Sequence, residues 1–159
     1  MSAVRRITVA ASVIILLGVA APRVGEPDRS ESRAIGTIRA IVSAELAYAA
    51  VNDGHYVTPA CLGNPACAPA FDRLDPVSAA GGDHGGYHFA FEPYSDRKSG
   101  EQSFSAFSNF AVVAVPLKMG AVRHRTFCAD DRGLLYVIEP PQPRIERGRC
   151  LDTSHPLER

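Results

Sequence analysis

The sequence predicts an α+β domain in which one long amphipathic helix precedes a set of short strands. Apolar residues recur at helical spacing between about residues 29 and 53, and apolar and polar residues alternate in segments between about residues 87 and 138. Glycine and proline, with 13 and 12 residues, concentrate after Asn52 and favour a loop-rich second half. We therefore expect one small domain over residues 22–139, with the apolar face of the helix packed on the later strands.

Residues 1–21 have the layout of a secretory signal peptide. Two arginines precede an apolar run, Ile7–Ala21, that ends in small residues, and the best cleavage position lies after Ala20. The alternative is a short membrane anchor that stays attached, although the run spans only roughly 22 Å as a helix. Because the positive residues precede the apolar run, both interpretations predict an exported protein that is periplasmic, anchored in the inner membrane or secreted.

The predicted helix has recognisable ends and one apolar face. Asp28 and Glu31 resemble a capping box at its start. Asn52-Asp53-Gly54 ends it, and Gly54 suits a left-handed conformation. We expect the apolar face to consist of Ile35, Ile38, Ile41, Val42, Leu46, Tyr48 and Ala49.

Glu45 interrupts this apolar face, and a buried carboxylate needs hydrogen bonds or a counter-charge. A functional interpretation makes Glu45 a general acid or base with a raised pKa. A structural interpretation makes it an acceptor for backbone N–H groups of the turn over Gly54–Pro59. We favour the structural interpretation and predict a buried structural carboxylate, because the sequence places no second catalytic group near Glu45.

The second half of the chain is predicted to consist of loops and strands. We interpret residues 60–83 as a loop region with a short turn around residues 71–76, and Gly81–Gly86 as a flexible turn. The strand signals are Tyr87–Glu92, Asn109–Pro116, and a hairpin of Arg125–Ala129 with Leu134–Glu139 about the turn Asp130–Gly133. We expect a polar loop over Ser95–Ser103, a solvated basic loop at Arg123-His124-Arg125, and core packing of Phe104, Phe107 and Phe110.

Four cysteines, Cys61, Cys67, Cys128 and Cys150, agree with export, because an even number in a small exported domain indicates disulfides. Three connectivities are open. We favour local pairing, Cys61 with Cys67 and Cys128 with Cys150, because each pair brackets a loop that contains proline or glycine. The second bond would tie a proline-rich, charged tail over residues 140–159 back to the domain.

The charge balance and the lack of catalytic motifs argue against several classes of function. Lys and Arg together number 17, as do Asp and Glu, so no net charge draws the chain to nucleic acid. No serine lies in a G-x-S-x-G motif. His84 and His88 are four residues apart, but the two glycines between them argue against a helical metal site. We expect no enzyme activity, no cofactor and no bound metal.

Four segments carry a family resemblance: E-S-R-A-I-G-T-I-R-A-I-V-S-A-E-L-A-Y from Glu31, G-H-Y-V-T-P from Gly54, G-G-Y-H-F-A-F from Gly85, and R-T-F-C-A-D-D-R-G-L-L-Y from Arg125. Together they resemble the type IV pilin and type II secretion pseudopilin superfamily, in its small bacterial branch. The resemblance covers most of the chain after the N-terminal segment. It implies a pilin-like fold, with a long N-terminal helix packed on an antiparallel sheet of about four strands.

The resemblance also implies a non-enzymatic structural or assembly role in a type IV pilus or a type II secretion system. The expected partners are protein subunits of that apparatus, and the inner membrane if residues 1–21 are retained. The chain departs from the family in one motif, because Arg5-Arg6-Ile7-Thr8-Val9-Ala10 stands where the family carries its G-F-T-L-I-E processing sequence. The alternative function is therefore a soluble exported binding module with a pilin-like fold.

Overall fold

A computed structural model describes residues 29–69, 74–96, 106–118, 125–138, 143–151 and 156–157. These residues form an α+β domain, which confirms the predicted class. The helices are α1 (Arg29–Ala49), α2 (Pro59–Leu62) and α3 (Pro76–Ala80). The strands are β1 (Gly82–His84), β2 (Tyr87–Tyr94), β3 (Asn109–Pro116), β4 (Thr126–Asp130), β5 (Leu135–Ile138), β6 (Ile145–Glu146) and β7 (Arg149–Cys150).

The first five strands form one antiparallel sheet in the order β1-β2-β3-β4-β5. Each strand pairs with its neighbour in sequence, so the sheet is a meander. The longest pairing joins β2 to β3, from Tyr87 opposite Pro116 to Tyr94 opposite Asn109. β3 has the bounds that the sequence predicted, and the sheet has one strand more than the family resemblance implied.

β3 is the centre of the core, and both of its faces are covered. Phe110, Val112 and Ala114 belong to the core under α1, whereas Ala111 and Val113 belong to a second cluster on the opposite face. Burial on both faces explains why β3 is a continuous apolar run rather than an alternating one. β3 thus contributes one face to each of the two hydrophobic clusters.

The second cluster packs against C-terminal residues, which the sequence interpretation described as a tail tied back by a disulfide. Strands β6 and β7 pair as a hairpin, and Cys150 is buried against the far side of the sheet. Further along, the amide of Leu157 donates to the carbonyl of Leu135 at 2.8 Å, so Leu157 lies along the edge of β5. The Cys128–Cys150 disulfide ties this region to the domain as predicted, and the β6–β7 hairpin adds an ordered element that the sequence did not indicate.

Helix α1 buries one face on the sheet, largely as predicted. Ile38, Ile41 and Val42 are buried, whereas Leu46 stays 36% exposed at the margin. The predicted start at Asp28 lies outside the described residues. At its C-terminal end the amide of Gly54, with φ of +76°, donates to the carbonyl of Ala49 at 2.9 Å. Gly54 thus has the left-handed conformation expected of a glycine after a helix.

Two sequence interpretations fail between α1 and β2. Residues 60–83 do not form a continuous loop, because Thr58 caps α2 and Asp75 caps α3 with its side chain, each followed by proline at the start of the helix. Gly81–Gly86 is not a flexible turn, because Gly82–His84 pairs with β2 as β1. The helices have only four and five residues, too few for a periodic signal.

Candidate functional site

The first surface feature is an apolar cleft of about 410 Å³ between α1 and the end of the sheet. Leu46 is 36% exposed and Leu134 is 43% exposed, so both present large apolar side chains to solvent. Arg39 and Ser43 give the cleft a polar margin on the helix side. Its apolar wall consists of Ile38, Val42, Leu46, Leu134, Leu135 and Leu157. We call this surface the α1–β5 cleft.

The turn between β4 and β5 brings the two walls of the α1–β5 cleft together. Gly133 has φ of +75°, and a Cβ atom there would lie 3.4 Å from Leu46 Cδ1. A glycine at this point therefore serves the turn and also lets the turn approach the helix closely. Leu134 follows at once and projects outward, because Leu135 is the residue that enters the core.

A second cleft of about 300 Å³ lies where the short helices meet the outer edge of β2. β1 pairs with β2 only as far as Phe89, and Gly81 and Gly82, with φ of +62° and +73°, turn the chain at that point. Across the described residues no strand pairs with the rest of that edge. Pro93 lies in this stretch, where a residue without an N–H group blunts an exposed strand edge. We call this surface the β2-edge cleft.

Glu45 is fully buried in α1, at 0% exposure. Its Oε2 atom accepts a hydrogen bond from the Val57 amide at 3.1 Å. Its Oε1 atom has no hydrogen-bond partner in the described part of the chain. Burial raises the pKa of Glu45 to about 8, against a smaller lowering by the Val57 hydrogen bond. The hydrogen bond holds the turn over Gly54–Pro59 against α1, as the structural interpretation proposed. One backbone N–H group donates to Glu45, where the sequence suggested several.

Three carboxylates in the described part of the chain are paired with arginines. Arg125 pairs with the buried Glu31 of α1 at 2.7 Å, so it does not belong to a merely solvated basic loop as the sequence suggested. Asp130 is fully buried and accepts from Arg132 and from the amide of Cys150. The third pair, Asp131 with Arg149, is more exposed. These carboxylates are structural, because each is already occupied by its partner.

The two disulfides have the local pairing that the spacing favoured. Cys61 is joined to Cys67 next to α2, and Cys128 is joined to Cys150 between β4 and β7. The second bond lies beside the hydrogen bond from the Cys150 amide to Asp130, so a covalent and a polar link both attach the C-terminal hairpin to β4. Both disulfides are distant in sequence from the residues of the α1–β5 cleft on α1.

The histidines singled out in the sequence do not converge on a metal site. The His84 ring stacks on Phe89 at 4.2 Å, whereas His88 Nδ1 lies 2.6 Å from an Asp83 carboxylate oxygen. Neighbouring strand residues point to opposite faces, so Asp83 with His88 and His84 with Phe89 occupy different sides of the sheet. Within the residues that the structure describes, no group of three His, Cys, Asp or Glu side chains could hold a metal ion.

The described helices also bear on the membrane question. None of them is long enough and apolar enough to cross a bilayer. The segment over residues 1–21, predicted as a signal peptide or an anchor, lies outside the described residues.

Comparisons of this chain with protein-family models, with curated proteins and with solved structures give no match.

Proposed function

We propose that this chain is a non-enzymatic, exported structural or assembly protein of the pilin-like kind, and that its partners are protein subunits of a pilus or a secretion apparatus. The observation that carries this proposal is the α1–β5 cleft. A long helix that follows an apolar N-terminal segment forms one wall, and exposed leucines line the margin. Apolar surface of this kind on a small domain suits contact with another protein.

The polar groups of the domain support the same proposal. Asp130 and Glu31 are engaged in ion pairs that fasten elements to one another. Glu45 is enclosed, and among the described residues no charged side chain contributes to the shift of its pKa. The surface therefore offers shape and apolar area to a partner rather than reactive groups to a substrate.

Site-specific photo-cross-linking in cells tests this proposal. A cross-linker at Leu134, in the α1–β5 cleft, should capture a subunit of a pilus or a secretion apparatus, identified by mass spectrometry. A cross-linker at Val51 is the matched control, because Val51 is 71% exposed but lies outside the cleft. Equal capture at both positions, or capture of no such subunit at Leu134, would contradict the proposal.

A soluble exported binding module is the second candidate, and the β2-edge cleft favours it. That cleft combines apolar side chains, such as Ile41 and Phe89, with the edge of β2, which no strand of the described residues pairs with beyond Phe89. The intact mass of the native protein in membrane and soluble fractions separates the two candidates. An uncut chain in the membrane supports the anchored assembly protein, whereas a chain cut near Ala20 and free in the soluble fraction supports the binding module.

A further inference from the structure

Glu45 lies at the joint between α1 and the segment Gly54–Thr58. Val57, like Glu45, is 0% exposed, so the hydrogen bond between them is sealed from water. On its other side the segment is fastened by Tyr56, which exchanges two backbone hydrogen bonds with Phe107 at 2.8 and 2.9 Å. The segment is thus held between the helix and the chain leading into β3.

The carboxyl group of Glu45 has too few hydrogen-bond donors around it to stabilise its ionised form. One backbone N–H group reaches Oε2, and Oε1 is enclosed without a partner among the described residues. A buried carboxylate with a single donor is strongly disfavoured compared with the neutral acid, which needs less solvation. The proton on Glu45 and the closed position of the segment therefore depend on each other.

The surroundings supply no counter-charge to Glu45. β3 contributes no titratable side chain. β4 contributes Asp130, which is paired with Arg132. α2 contributes only Cys61, which is disulfide-bonded. No charged side chain contributes to the shift of the Glu45 pKa in the described part of the chain. The remaining titratable groups around the joint are Tyr48 of α1, Asp53, His55 and Tyr56 of the following segment, Asp75 before α3, and the Asp131–Arg149 pair beyond β4.

We infer that Glu45 is a proton-operated latch, which holds the segment Gly54–Thr58 on α1 while its carboxyl is protonated and releases it when the proton is lost. Thr58 is the last residue of the segment and Pro59 is the next residue. Both line the β2-edge cleft, together with Ile41 of α1. Release of the latch therefore loosens one wall of that cleft. This makes the accessibility of the cleft depend on pH.

The direction and range of the pH dependence follow from linkage. Opening that exposes Glu45 to water would return its pKa to near the ordinary value of 4.5, whereas burial in the closed state raises the pKa to about 8. The closed state binds the proton more tightly, so opening is least favoured below pH 4.5 and becomes more favoured as the pH rises to about 8. Between these limits each pH unit raises the opening equilibrium about tenfold.

Amide hydrogen exchange of the full-length protein tests the latch. A protection factor is corrected for the ordinary pH dependence of amide exchange. For the Val57 amide, the protection factor should fall about 100-fold between pH 5.5 and 7.5. In Glu45→Gln, which keeps an acceptor for Val57 but has no proton to lose, the protection factor should be constant over the same range. The Val113 amide of β3 is the internal reference, because it reports opening of the sheet.

Three outcomes would overturn the latch. Constant protection of Val57 in the unmodified protein would show that Glu45 does not control the segment. Equal protection factors of Val57 and Val113 at every pH would show that the Val57 amide exchanges only when the whole domain unfolds, so that the segment does not open by itself. If the Gln variant does not fold, the carboxyl ¹³C resonance of Glu45 decides in the unmodified protein, and a midpoint near 4.5 would contradict the latch.

Discussion

The carboxylate of Glu31, in the first turn of α1, accepts hydrogen bonds from the backbone amide and from the guanidinium of Arg125, which precedes β4 by one residue. The two residues are 94 positions apart in the sequence. Glu31 is buried, and the Arg125 guanidinium also lies 5.7 Å from the centre of the Phe127 ring. One ion pair therefore fixes the start of the helix on the sheet.

Loss of this pair should weaken the domain measurably. Arg125→Ala removes the guanidinium and leaves a buried carboxylate with fewer donors, which should lower the free energy of unfolding by about 2 kcal/mol. Arg149→Ala is the matched control, because the Asp131–Arg149 pair is more exposed and should contribute less than about 1 kcal/mol. Urea unfolding of both variants measures the difference, and equal losses would contradict the structural role of Glu31.

As the pH rises, the free energy of unfolding of the unmodified protein should fall relative to that of the Glu45→Gln variant. The pKa of Glu45 is raised from 4.5 to about 8 in the folded protein, so the stabilisation is complete below pH 4.5 and is lost between pH 4.5 and 8. By pH 7 the unmodified protein should have lost on the order of 3 kcal/mol relative to the Gln variant. Denaturant unfolding of both proteins at pH 4.5, 6 and 7 measures this, and a constant difference would show an ordinary pKa.

The two disulfides should differ in how much they stabilise the domain. The Cys128–Cys150 bond spans a sequence separation of 22 residues and the Cys61–Cys67 bond spans 6. Loop-closure entropy predicts a loss of about 3 kcal/mol when Cys128 and Cys150 are both replaced by Ala, and about 2 kcal/mol for the other pair. Thermal unfolding of the two double variants under oxidising conditions compares them. A larger loss for the Cys61–Cys67 pair would contradict this ranking.

Two glycines should respond oppositely to replacement by alanine. Gly148 has φ of +69°, and a Cβ atom there would lie 3.0 Å from backbone atoms of Asn109 and Phe110, so Gly148→Ala should destabilise the domain by about 1–3 kcal/mol. Gly36 lies within α1 with nothing within 4 Å of its added Cβ, so Gly36→Ala should stabilise by about 1 kcal/mol. Thermal unfolding gives the sign of each effect. A neutral Gly148→Ala would show that the C-terminal hairpin is not packed on β3 as described.

Much of the fold was predictable because its signals are local. The bounds of β3, the turn at Gly133 and the left-handed Gly54 follow from the spacing of apolar residues and from the backbone conformations that glycine permits. The position of Glu45 on the apolar face of α1 also follows from helical spacing. The short helices α2 and α3 and strand β1 were missed, because three to five residues are too few to show a period.

The α1–β5 cleft illustrates what the sequence left undecided. Leu134 and Leu135 are adjacent and identical in type, and strand alternation indicates that one faces the core and the other faces outward. Only the packing of α1 against the turn at Gly133 shows that Leu134 is the outward residue and that Leu46 lies beside it. No local pattern indicated that Leu157 would reach this surface.

Local patterns were sufficient to predict an α+β domain with an amphipathic helix, a central apolar strand and four cysteines suited to local pairing. Each of these features depends on residues close together in the chain. Three contacts between elements became apparent only in the folded domain: the Glu31–Arg125 pair, the C-terminal hairpin over β3, and the single hydrogen bond that Glu45 receives from Val57. Such contacts depend on how whole elements pack, and the energy of packing is shared among many side chains whose partners no local pattern specifies.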